Sequence, residues 1–110
     1  GYRFGVEQQG IERWLDAIRT AAGKDKAVAL EIAECARPIK GYSDTHRRGT
    51  GNFRRIMETL VTPALAASNV RPDFYANAAA AIAAARKAAL ADPEGQTLDR
   101  TLAQLATARA

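Results

Sequence analysis

His46 is the single histidine of the chain, and Asp44 stands two residues before it. An imidazole oriented by a carboxylate is a common acid–base pair near neutral pH. A lone histidine in a basic segment also serves structurally, bonding a backbone carbonyl or filling a gap, and both readings stay open here. No Ser or Cys is placed to suggest a nucleophile. Cys35 falls on the apolar face of its segment, where an inert buried thiol is expected. One Cys and one His cannot supply the usual ligand set of zinc or of an iron–sulfur cluster. No catalytic residue and no metal ligand is therefore assigned.

The other chemistry-bearing residues are cations mixed with glycines, in Lys40-Gly41-Tyr42 and Arg48-Gly49-Thr50-Gly51. These runs lack the strand and the Gly-Lys-Ser/Thr of a P-loop. Gly49 to Asn52 nevertheless leads toward an expected helix start, whose amides and dipole attract anions. From Arg37 to Arg55 there are six cations and one anion, a local charge of +5 against +4 for the whole chain. The remainder is nearly neutral, so the basic character belongs to one stretch. Such a cluster favours an anionic partner: a phosphate, a cofactor tail, nucleic acid or an acidic protein face. The candidate anion-binding residues are Lys40, His46, Arg47 and Arg48, with Tyr42 as a stacking or hydroxyl contact. Arg37 and Asp44 are expected to hold the loop, Asp44 by accepting backbone amides or meeting Arg37 or Arg48. The plainer alternative is a solvated basic loop whose arginines pair with glutamates of the preceding helix. Nucleic acid is the weakest candidate, because no helix-turn-helix, zinc finger or aromatic platform accompanies the cations.

The elements that must position these residues are helical. The 110-residue chain suits one domain. It is rich in alanine and only 6% aromatic, a composition that favours closely packed helices. Ile11, Trp14, Leu15, Ile18 and Ala22 form a stripe in a first helix from about Val6 to Ala22, with Trp14 as a core or interface anchor. Val28, Ile32, Cys35 and Ala36 form the inner face of a second, from Asp25 to near Ala36, before Pro38. Pro38 to Gly51 reads as a long basic loop. Asn52 is the expected N-cap of a third helix carrying Phe53, Ile56, Met57, Leu60 and Val61. Pro63 should end or kink it, with Ala64 to Ala67 adding a turn. Pro72 opens a fourth helix, and its alanines let a neighbour approach closely. Asp92-Pro93 caps a fifth, with Leu98, Leu102 and Leu105 facing inward. No strand alternation and no apolar run of about 20 residues occurs, so neither a sheet nor a membrane span is expected. The expected fold is all-α, a compact bundle of four to five antiparallel helices with one long basic loop. Gly rather than Met at position 1 suggests a single domain (residues 1–110) excised from a longer subunit.

The stretch Arg37 to Ile56, RPIKGYSDTHRRGTGNFRRI, with ALEIAECA before it, resembles the indolepyruvate oxidoreductase β-subunit family. That family is part of the 2-oxoacid:ferredoxin oxidoreductase group. Pro38 and Ser43 depart from its pattern, which has Leu and Gly there. The resemblance implies an accessory helical domain following an α/β catalytic domain. The implied complex decarboxylates aryl pyruvates oxidatively in the cytoplasm, using thiamine diphosphate, coenzyme A and iron–sulfur clusters. None of those cofactor sites maps onto residues of this chain. The implied partners are the rest of its own subunit and the α subunit, and the implied role is docking or anion contact rather than chemistry. A free-standing helical module for nucleic acid or a partner protein is the alternative.

Overall fold

The computed structural model describes residues 8–39, 41 and 43–109, with Ser43 and Arg109 described by backbone alone. The expected contributions of Gly1 to Glu7, Lys40 and Tyr42 lie outside the described residues. The described residues contain α1 (Gln8–Ala22), α2 (Lys26–Glu34), α3 (Ser43–Ile56), a π-helical turn (Met57–Val61), α4 (Thr62–Ala66), α5 (Phe74–Ala91) and α6 (Gln96–Arg109). Because α3, the π turn and α4 run on without a break, the bundle has five helical rods and no strand among the described residues. It is the all-α bundle that the composition and periodicity point to.

Local chemistry explains most boundaries. Asp25 lies outside the helical region, and its carboxylate accepts the Val28 amide at 3.0 Å, which caps α2. At the start of α6 the Asp92 carboxylate accepts the Thr97 amide at 3.0 Å. Pro63 does not end the rod. Its ring lacks an N–H and clashes with the carbonyl four residues back. The π turn just before it closes five residues apart, Thr62 N–H to the Met57 carbonyl, and widens the helix there.

The expected long loop is the principal correction. The helix begins at Ser43, nine residues before Asn52, so most of the basic stretch lies on α3. The glycines that read as loop punctuation have helical roles. At Gly49 a Cβ would stand 2.6 Å from the Pro38 carbonyl oxygen and 3.0 Å from Ile39 Cα, so only glycine lets the chain cross α3 this closely. Pro38 is buried at that crossing. Gly41, at φ +78°, takes the left-handed turn that precedes α3. Asn52 is correspondingly no cap. It is buried within the helix, and its Nδ2 donates to the Pro93 carbonyl at 3.1 Å.

The core brings together Val28, Ile32 and Cys35 of α2 and its end, Phe53 and Ile56 of α3, Val61, Ile82 and Ala85 of α5, and Leu98 of α6. α2 packs against α1 on one side and α5 on the other, and α5 packs on α6. Trp14 joins α1 to α2 through its indole N–H, which donates to the Ile32 carbonyl at 2.9 Å. The bundle measures 42 × 28 × 16 Å. The short dimension has room for two layers of helices about 10 Å apart. A slab this thin leaves much of each helix on a surface, so grooves between rods become the candidate sites.

Candidate functional site

Because α3 turns by about 100° per residue, the basic stretch is distributed around the helix rather than gathered in a loop. Arg48, Asn52 and Arg55 share the flank toward the α5–α6 corner. Arg48 Nη1 stands 3.7 Å from Glu94 Oε2, and Arg55 bonds the Asp99 carboxylate. Arg47 points to solvent and pairs with Asp44 at 3.1 Å. Asp44 therefore meets Arg47, one turn on, rather than Arg37 or Arg48. Arg37 pairs with Glu34 at 3.0 Å, at the end of α2. Among the described residues this is the one ion pair in which an arginine of the stretch meets a glutamate of the preceding helix.

The Asp44–His46 pairing does not assemble. Two residues apart on a helix, the side chains diverge by about 200°. His46 turns inward on the flank of Gly49 and Phe53, half-buried, and its Nε2 is buried without a hydrogen-bond partner. The helix-start anion site expected at Gly49 to Asn52 is also absent, since those amides belong to the interior of α3. Of the candidate anion-binding residues, the structure brings His46, Arg47 and Arg48 onto one helix but onto different faces of it.

Arg54 differs from its neighbours. Among the described residues it meets no carboxylate, and it lines a cleft between α1 and α3. That cleft holds about 120 Å³ and is walled by Gly10, Arg13, Thr50, Arg54, Glu58 and Thr62, with Phe53 and Met57 beneath. The wall residues of α3 recur at the three- and four-residue spacing of one helix face. Arg13 was missed by sequence reasoning because it lies outside the basic stretch in a helix of mixed charge, and only the packing of α1 places it on the same cleft as Arg54.

A wider groove of about 530 Å³ runs between the π turn with α4, α5 and α6. Leu60, Pro63, Ala64, Phe74, Ala78 and Leu105 give it an apolar lining. The alanine-rich face of α5 forms one wall.

A third cluster links α2 to α5. Arg86 Nη2 bonds Glu31 Oε1 at 3.1 Å, with the two side chains 12% and 27% exposed. Cys35 lies beside them, fully buried, and its Sγ donates to the Glu31 carbonyl at 3.2 Å. Burial pushes its thiol up to about 12, against the pull of the Arg86 charge. A thiol held protonated neither ligates metal nor attacks readily, so this residue does not fit an iron–sulfur cluster. Arg86 was legible in principle as the one cation on the inward face of an alanine helix. Among the described residues no three His, Cys, Asp or Glu side chains gather as a metal site, and no helix is long and apolar enough to cross a membrane.

Fold and surface together define a small helical domain with a basic, partly ion-paired third helix and an open apolar groove. Comparison with known families matches residues 2–59 to a family of unknown function, DUF6537. The match spans just over half the chain, and the chain belongs to that family. No curated protein matches it. No solved structure matches it either.

Proposed function

We propose that this domain is an accessory docking module of an indolepyruvate oxidoreductase β subunit, working in the cytoplasm beside the subunit's catalytic part and the α subunit. The docking role rests on one observation, the 530 Å³ apolar groove left open between three rods. Open apolar surface rimmed by polar residues commonly marks an interface. The oxidoreductase assignment rests on the resemblance of Ala29 to Ile56, which lies within the family-matched residues. The whole complex would carry out oxidative decarboxylation of aryl pyruvates with thiamine diphosphate, coenzyme A and iron–sulfur clusters bound elsewhere. In this chain Cys35 is unsuited to a cluster, and no nucleophile with a base at hand is found among the described residues.

The alternative of a nucleic-acid module is weakened by the ion pairs. Four of the five arginines between 37 and 55 already face carboxylates, which cancels much of the field a phosphate backbone would feel.

The test is made in the full-length protein that contains this sequence, co-expressed with its α subunit. Leu105→Asp places a charge in the groove at a partly buried position. The expected result is loss of the α subunit or of the catalytic part on gel filtration, with aryl-pyruvate oxidation falling in parallel. Unchanged assembly and turnover would overturn the docking reading. Turnover on no aryl pyruvate by the intact complex would overturn the oxidoreductase assignment. Tight DNA binding that falls steeply with salt would favour the alternative.

A further inference from the structure

We infer that α4 is a movable wall of the apolar groove, which swings toward α5 about the junction of the π turn and Pro63 and closes the groove when it is empty. The motivating observation is where the two rods part. α3 and the π turn both pack against α5, but α4, the last part of the same rod, makes no comparable packing with α5 or α6. The groove of about 530 Å³ occupies that gap. Yet α4 and α5 are joined only by the short connection 67–73. Helices joined so closely ordinarily pack along their facing lengths.

α4 is also lightly held. Ala64 is buried but stands outside the core cluster, and Leu65 is the one α4 side chain that packs partly against that core. On the hinge side Val61 is fully buried and fixes the π turn, whereas Thr62 and Pro63 are exposed. Pro63 has no N–H to give to the turn before it, so a helical hydrogen bond is missing where α4 departs. At the far end the chain leaves α4 in extended conformation at Ala67, and Asn69 takes a positive φ of 53°. Irregular backbone of this kind absorbs the dihedral changes of a hinge. The driving force is burial. Leu60, Pro63 and Ala64 on one wall face Phe74, Ala78 and Leu105 on the other, and closure removes their apolar surface from water. No charged side chain lines the groove, so nothing ionic opposes the movement. Ala78 and Ala81 are small enough for a helix axis to approach to about 8 Å.

The structure holds the open arrangement, and closure competes with any partner for the same surface. That regulatory consequence rests on the docking reading, whereas the motion itself does not. Amide relaxation dispersion on the 110-residue chain tests the motion. Exchange on the microsecond-to-millisecond scale is expected at 64–70 and 74–81, with a closed population of about 1–10%. The amides of α2 and α3 should show none. Ala78→Leu fills the space that α4 would enter and should quench the exchange. Lys87→Ala, exposed further along α5 and outside the groove lining, should leave it unchanged. If Ala78→Leu does not fold, the smaller filling Ala81→Val carries the test. Flat profiles at 64–70, exchange of equal size throughout the bundle, or no response to the filled groove overturns the inference. Exchange that disappears on dilution also overturns it, because the groove is then being covered by a second copy. The docking reading fails instead in the subunit assembly test, so the two fall separately.

Discussion

Arg54 and Arg55 are neighbours in sequence and face opposite flanks of α3. Arg55, with Arg48 two turns earlier, leans on carboxylates of the α5–α6 corner, and Asn52 between them is tied to the Pro93 carbonyl. Arg54 stands with Arg13 over a cleft whose floor is apolar. One flank is knitted to the rest of the fold by ion pairs and a buried amide. On the other, Arg54 meets no carboxylate among the described residues. A basic run in a sequence is thus no unit of function, because a helix deals consecutive residues to environments about 100° apart.

The difference between the flanks can be broken at their common support. Gly49→Ala should have the largest effect, since its Cβ would enter the Pro38 carbonyl and the backbone has to give way. A loss of about 3 kcal/mol is expected, a melting-temperature drop of roughly 12–24 °C for a domain of this size. Both flanks should be disturbed. Circular dichroism melts check it, and an unchanged melt would mean that Pro38 does not cross α3 so closely.

Next in size, Asn52→Ala should affect only the knitted flank. The buried Asn52 side chain and its bond to the Pro93 carbonyl are lost, which costs about 1 kcal/mol. Chemical denaturation measures the loss. Gly51→Ala sharpens the comparison from the solvent side. A Cβ there meets nothing within 4 Å, so replacing a mid-helix glycine should stabilise by about 0.5–1 kcal/mol. Opposite signs at Gly49 and Gly51, two residues apart, would establish that α3 is a helix across the whole basic stretch.

The smallest effect appears only in acid. The Thr97 backbone N–H, helped by the Glu94 amide, holds the Asp92 carboxyl below its ordinary 3.8. A lowered native value means the contribution is present above the unfolded value and is lost as pH falls through the native one. Asp92→Asn should therefore flatten the stability profile below about pH 4, with the cleft flank unaffected.

The helices themselves were largely legible. Asp92 announced its cap through residue type alone, Asp25 marked where the second helix begins, and the stripes of Val28–Ile32 and Leu98–Leu102 marked inward faces that are buried. Pro63 signalled a kink, although only the structure shows a π turn absorbing it. Reading failed at 43–51 because glycine has two uses. It punctuates loops through backbone freedom, and it also sits inside helices where another chain passes too close for a Cβ. Nothing local distinguishes these: the atoms that demand glycine at 49 belong to Pro38 and Ile39. The candidate site shared that failure. Lys40 and Tyr42 lie outside the described residues, and His46, Arg47 and Arg48 were grouped by proximity along a supposed loop.

By itself the sequence determined the fold class, the ends of most helices, the inward stripes of α2 and α6 and the concentration of charge between Arg37 and Arg55, whereas Leu15 and Ala22 of the expected first stripe are exposed. Those properties depend on side-chain type and on neighbours within a turn or two. Tertiary structure decided that Arg54 meets no carboxylate among the described residues, that Arg13 and Arg54 line one cleft, and that three rods leave an apolar groove open. Those depend on helix rotation and on crossings between residues far apart in the chain, which packing of the whole core fixes and no local pattern encodes.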